Sequence, residues 1–246
     1  MTAVSLFKFA LGFTAVLLVA DAASAQQVSI SLGDDGSLSA RTLQLIALIT
    51  VLSLAPGLAI MITCFPFIVT VLSILRQGIG LQQSPPNMLI VSLALFLTYF
   101  VMEPVFMVAW TEGLSPLLND AIPVETAIER ALEPFRQFMA ARVDAETFAS
   151  MANLRPDAAN IEAGPDAPLS VLVPSFLLSE ISRAFQIGFL VFLPFLIIDL
   201  VVAAVLMSMG MMMVPPAIVS LPFKLAFFVI ADGWTLIADS LVRGYF

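Results

Sequence analysis

The chain reads as an all-α, polytopic membrane protein, built of helical hairpins with a small acidic helical domain between them. Three observations carry this reading. Hydrophobic residues fill 60% of the 246 positions and charged residues only 11%, which leaves too little polar surface to cover a water-soluble globule. The apolar positions gather into runs long enough to cross a hydrocarbon core of ~30 Å. The charge gathers elsewhere: from Thr111 to Ser170, Glu112, Asp120, Glu125, Glu129, Glu133, Asp144, Glu146, Asp157, Glu162 and Asp166 outnumber Arg130, Arg136, Arg142 and Arg155.

Residues 1–25 carry the marks of a secretory signal. Lys8 supplies a basic n-region, Phe9 to Ala20 an apolar h-region, and Ala23-Ser24-Ala25 a small-residue cleavage pattern. An uncleaved first span is the competing reading, opposed by its shortness and by Asp21. A polar lead-in, 26–42, follows. The signal places the mature N-terminus outside the cytoplasm, so the turn at Arg76 faces the cytoplasm and the acidic domain faces the periplasm.

Residues 43–110 form the first helical hairpin. Leu43 to Phe65 is long enough to span, with Pro56-Gly57 expected to kink it, and Phe67 to Leu75 continues apolar up to Arg76. Gln77 to Pro86 supplies a turn, and Met88 to Trp110 makes the next span, with Glu103 and Pro104 toward its end. Within the acidic domain, 111–170, Ile128, Leu132, Phe135 and Phe138 or Met139 recur at helical spacing. A kink or a helix break is expected at Pro134, with a second helix from about Phe135 to Asn153. The stripe serves either to close this small domain on itself or to contact a neighbouring copy through Phe135 and Phe138. Residues 171–246 form the second hairpin.

Chemistry is narrowed by what the sequence lacks. It has no histidine and a single cysteine, Cys64, which removes imidazole acid-base catalysis, intrachain disulfides and Cys/His zinc sites. Cys64 lies in an apolar run and reads as a small buried hydrophobe. Five charges sit in or beside the spans of the second hairpin: Glu180, Arg183, Asp199, Lys224 and Asp232. Each costs roughly 3 kcal/mol if left unpaired in lipid, so each must face protein or water. Helical rise puts Asp199 and Lys224 about 18 and 12 Å from the intervening turn, a difference that a lysine can bridge. An ion pair, within the hairpin or between subunits, is favoured over a proton relay, because no histidine or second carboxylate continues one from Asp199. Glu180 and Arg183, three residues apart, suggest a second pair.

The turn of this hairpin is its most unusual segment. Met207, Met209, Met211, Met212 and Met213 converge on Pro215-Pro216, and Gly210 permits a bend that other residues resist. Methionine is apolar and deformable, suited either to ordinary packing or to a seal that gives way.

The segment Val173 to Trp234 resembles the C-terminal half of the FliP family, the flagellar biosynthetic proteins of type III export. AFQIGF from Ala184, LPFLIIDLV from Leu193, MGMMMVPP from Met209, LPFKL from Leu221 and DGW from Asp232 occur in the family's order and spacing. Weaker resemblance runs through PPNMLIVSLALFLTYFVM from Pro85 and PFRQFM from Pro134. This resemblance implies a non-enzymatic subunit, without cofactor, metal or nucleic acid, in the bacterial inner membrane at the flagellar basal body. It further implies a homo-oligomeric, pentameric ring or cone closed with FliQ and FliR, set largely above the membrane plane. FlhB and FlhA stand alongside, FliO acts in assembly, and unfolded export substrates pass through. By the same resemblance Met209, Met211, Met212 and Met213 form a pore gasket, with Gly210, Pro215 and Pro216 shaping its turn. The corresponding subunit of virulence type III secretion is the nearest alternative. An ion-coupled transporter is more distant, since no second half repeats the first.

Overall fold

The computed structural model describes residues 38–81, 84–156, 158, 161–211 and 213–245. The proposed signal, most of the lead-in and Met212 lie outside the described residues. The described residues are helical, with no strand among them. The described residues from Leu52 onward pack as one compact unit, and residues 38–51, the first part of the opening helix, belong to another.

Helix α1 runs Leu38–Met61, and its side chains from Thr42 to Thr50 are exposed. Pro56 does not end it. The chain breaks instead at Ile62-Thr63-Cys64, where Pro66 opens α2, Phe65–Ile79, at the helix start where a missing N–H costs nothing. Cys64 is fully buried at this junction. Helix α2 buries Phe67, Ile68, Val71, Leu72, Leu75 and Ile79, a stripe at spacings of three and four. It ends on Gly80, whose φ of 88° suits a residue without a Cβ.

The chain returns in α3, Asn87–Ala109, and the Arg76 guanidinium donates across the turn to the Asn87 side chain. Helix α3 passes through a π-turn, Trp110–Leu114, into the short α4, Ser115–Leu118. Gly113 sits in this turn, and a Cβ there would lie 2.7 Å from the Ala131 side chain and 2.9 Å from the Ala127 carbonyl oxygen. Only glycine allows the following helix so close.

That helix, α5, spans Val124–Arg142 without interruption. The break expected at Pro134 is absent: Pro134 is buried inside a continuous helix, and the chain turns at Val143-Asp144 instead. Helix α6, Ala145–Asn153, starts there because the Asp144 carboxylate accepts the Thr147 N–H at 2.9 Å, a side-chain N-cap. Phe135 packs on Phe106, with ring centroids 5.8 Å apart, and Phe138 on Phe176 at 5.8 Å. Both rings thus make contacts within the chain and stay partly accessible. Met139, Phe148 and Ala152 join Val171, Leu172 and Phe176 in a core that ties this region to the next helix.

Helix α7, Leu169–Ser208, has 40 residues and contains both Pro174 and Pro194, giving a rod of about 60 Å. It crosses α2 at two small residues. A Cβ on Gly188 would stand 2.4 Å from Ile74 Cδ1, and one on Gly78 3.0 Å from the Phe195 ring, the close approach that small residues allow between membrane helices. Helices α8, Pro216–Ile230, and α9, Gly233–Arg243, complete the chain with a 61° bend between them. Among the described residues three helices are long and apolar enough to cross a membrane, or four if the bent pair is one span.

Candidate functional site

The methionine turn leaves α7 through a hydrogen-bonded helix end and enters α8 through two prolines, with exposed methionines between them. Helix α7 ends with Gly210 at φ 73°; the Met211 N–H donates to the Leu206 carbonyl at 3.0 Å and the Gly210 N–H to that of Met207 at 3.1 Å. This pair of bonds is a Schellman closure, which satisfies carbonyls that a helix end otherwise leaves bare. Beyond it Pro215 caps α8 and Pro216 begins it, fixing the exit of the turn. Met207, Met209, Met211 and Met213 are exposed, Met213 to 97%. Beside them an open groove of about 670 Å³ is lined only by apolar groups, among them Val201, Val205, Met209, Met211, Val219 and Phe223.

Two turns below, Lys224 is 5% exposed. Its Nζ donates to Asp199 Oδ2 at 2.6 Å and to the Gly78 carbonyl at 3.0 Å. The second bond serves the C-terminus of α2, where unpaired carbonyls and the helix dipole both favour a cation. The Ser220 hydroxyl donates to Asp199 Oδ1 at 2.5 Å. One lysine thus joins α2, α7 and α8 behind the turn.

Glu180 is placed differently from the sequence expectation. Its partner is not Arg183 but Arg142, whose Nε donates to Oε1 at 3.0 Å, and the Tyr245 hydroxyl donates to Oε2 at 2.5 Å. Arg142 also donates to the Gly244 carbonyl at 3.0 Å, and its guanidinium carbon lies 3.9 Å from the Tyr245 ring centroid. The carboxylate is completely buried, and each oxygen has a donor, as a buried charge requires. Arg183 is exposed beside a polar cleft. Asp232 is exposed at the α8–α9 bend with φ 47° and accepts from the Thr235 hydroxyl at 3.1 Å; it joins no ion pair among the described residues. Arg142 and Tyr245 escaped the sequence reading, because they lie 38 and 65 residues from Glu180 and no local spacing links them. An arginine ending an amphipathic helix and a tyrosine in a short tail were the only signals.

Among the described residues no group of His, Cys, Asp and Glu could hold a metal ion. The long apolar helices, with an internal ion pair toward each end of α7, define a polytopic all-α membrane protein. Comparison with known proteins gives the particular family. The FliP family model matches residues 48–241. The Flagellar biosynthetic protein FliP of Caulobacter vibrioides is 50% identical over 229 residues, 93% of this chain and 86% of that protein. Those of Agrobacterium fabrum and Bacillus subtilis are 46% identical over 246 residues, 98% of this chain and 100% of the relative, and 47% over 204 residues, 83% and 92%. The chain belongs to the FliP family, non-enzymatic membrane proteins of flagellar biosynthesis.

Proposed function

We propose that the chain is a core subunit of the flagellar type III export gate in the bacterial inner membrane, where several copies, pentameric by family resemblance, close a ring with FliQ and FliR. FlhA and FlhB flank that ring, FliO assists its assembly, and unfolded flagellar substrates pass through it. In this reading residues 1–25 are a cleaved signal and the acidic domain, 111–170, faces the periplasm. The observation that supports a seal is the methionine turn itself. Its entry is set by the Schellman closure and its exit by Pro215-Pro216, while the side chains of Met207, Met209, Met211 and Met213 are exposed. Flexible thioethers on such a turn can close on one another when nothing passes and yield around side chains of varied shape. Met212 belongs to the same MGMMM run and is assigned the same role.

The test is the variant with Met209, Met211, Met212 and Met213 all replaced by alanine. Exposed side chains contribute little to stability, so the complex should assemble normally, while small-ion leakage across the membrane rises and motility falls. Normal assembly with unchanged impermeability and export would reject the seal.

A further inference from the structure

Helix α7 changes character at one level. From Ile187 to Leu206 twenty residues include a single charge, Asp199, and at 1.5 Å per residue they span about 30 Å, the thickness of a hydrocarbon core. Immediately N-terminal, Ser179, Ser182, Arg183 and Gln186 put polar groups on one face. If the twenty-residue run fills the core, Arg183 stands about 6 Å outside it, in the layer of lipid headgroups.

At this level the structure has a cleft of about 760 Å³ between α7 and the start of α6, lined by Ser182, Arg183 and Gln186 on one wall and Glu146, Thr147 and Ser150 on the other. The charges around it are not equally free. Arg142 is committed to Glu180, and the Asp144 carboxylate to the N–H and hydroxyl of Thr147. The side chains of Arg183, Ser182, Gln186 and Glu146 make no hydrogen bond or ion pair among the described residues. On the core side of Arg183, Phe185, Phe189 and Leu190 are exposed, leaving an apolar path along the helix.

We infer that this cleft binds the headgroup of a zwitterionic aminophospholipid in the membrane-inserted chain before assembly. The phosphate lies against Arg183, with Ser182 and Gln186 as further donors, the ammonium faces Glu146, and the acyl chains follow Phe185, Phe189 and Leu190. Arginine suits the phosphate because its guanidinium presents paired donors. A carboxylate on the opposite wall favours a primary ammonium, which donates hydrogen bonds, over a quaternary one, which cannot.

The full-length chain in neutral detergent can be titrated with phosphatidylethanolamine, phosphatidylcholine of the same acyl chains, and free phosphoethanolamine, with binding read by native mass spectrometry. Saturable 1:1 binding of phosphatidylethanolamine is expected, weakened about tenfold in Arg183→Gln. Glu146→Gln should reduce that binding to the phosphatidylcholine level and leave phosphatidylcholine unchanged. Arg183 makes no hydrogen bond or ion pair through its side chain among the described residues, so Arg183→Gln should melt like the wild type. Equal lipid binding by Arg183→Gln and wild type overturns the proposal, as does free phosphoethanolamine binding as tightly as the lipid, which marks a soluble-phosphate site. Unchanged lipid binding with weakened association of copies would make the cleft a protein seat and overturn it equally.

Discussion

The two ends of α7 live in different surroundings. Toward its N-terminus Val171, Leu172, Ser175, Phe176, Ser179, Glu180, Ala184 and Gly188 are buried; toward its C-terminus Leu196, Ile197, Leu200, Val201, Val205, Met207 and Met209 are exposed. Each end holds an acidic residue paired with a base from a distant element. Glu180 is enclosed on every side, while the Asp199 side chain remains 34% exposed though its partner Lys224 is buried. The first end is complete within one chain. The second has the entry and exit of its turn set and its side chains uncovered, as expected of a surface finished by neighbours or by lipid.

This contrast makes the Glu180 cluster the most sensitive place in the chain. Arg142→Ala would leave a fully buried carboxylate with only the Tyr245 hydroxyl, and would remove the donor that holds the Gly244 carbonyl. Removing one partner of a buried pair costs about 3–5 kcal/mol, and the variant should show a large loss of thermal stability in detergent. Double replacement by Arg142→Met and Glu180→Met should recover part of it, because no unpaired charge remains. A melting temperature unaffected by Arg142→Ala would show that water reaches Glu180 and that the first end is not closed.

Replacement at the second end should cost less. Lys224→Met strips Asp199 of its cation and the Gly78 carbonyl of its donor, but Asp199 retains the Ser220 hydroxyl and contact with its surroundings. A hydrogen bond to a charged group is worth about 1.5–3 kcal/mol, and exposure of the carboxylate moves the expectation to the lower part of that range. Adding Asp199→Asn should restore stability to within about 1 kcal/mol of the wild type. If Lys224→Met proves as damaging as Arg142→Ala, the two ends are equally closed and the contrast fails.

The parts legible in the sequence were those set by short-range periodicity. Helix content follows from long apolar runs, and counting rise from the turn puts Asp199 and Lys224 at similar depth, where the structure has them 2.6 Å apart. Gly210 and the proline pair marked the turn by their own backbone chemistry. Relations between distant segments were not legible. Glu180 had a plausible partner three residues away and is instead held by Arg142 and the C-terminal tail. Of the kink or break expected at Pro134, the break does not occur, since its buried ring packs within a continuous α5. Phe135 and Phe138 lie on a stripe that fits either use, and their contacts with Phe106, Phe176 and Tyr245 join segments that no local spacing links.

The smallest effect separates the two ends by pH. The Asp144 N-cap starts α6, which carries Phe148 and Ala152 into the core at the closed end of α7. Its carboxyl is held below the ordinary value of 3.8, chiefly by the Thr147 backbone N–H and then by the Thr147 hydroxyl. A depressed folded value means that the unfolded chain takes up the proton first as pH falls. The cap's contribution is therefore fully present above about pH 4 and is lost below it, as pH passes through the lowered folded value. Asp144→Ala should melt slightly below the wild type at neutral pH, with the gap closing under acid. A gap that persists unchanged at pH 2 would mean that the cap acts through shape alone, and that the closed end owes nothing to the charge at the start of α6.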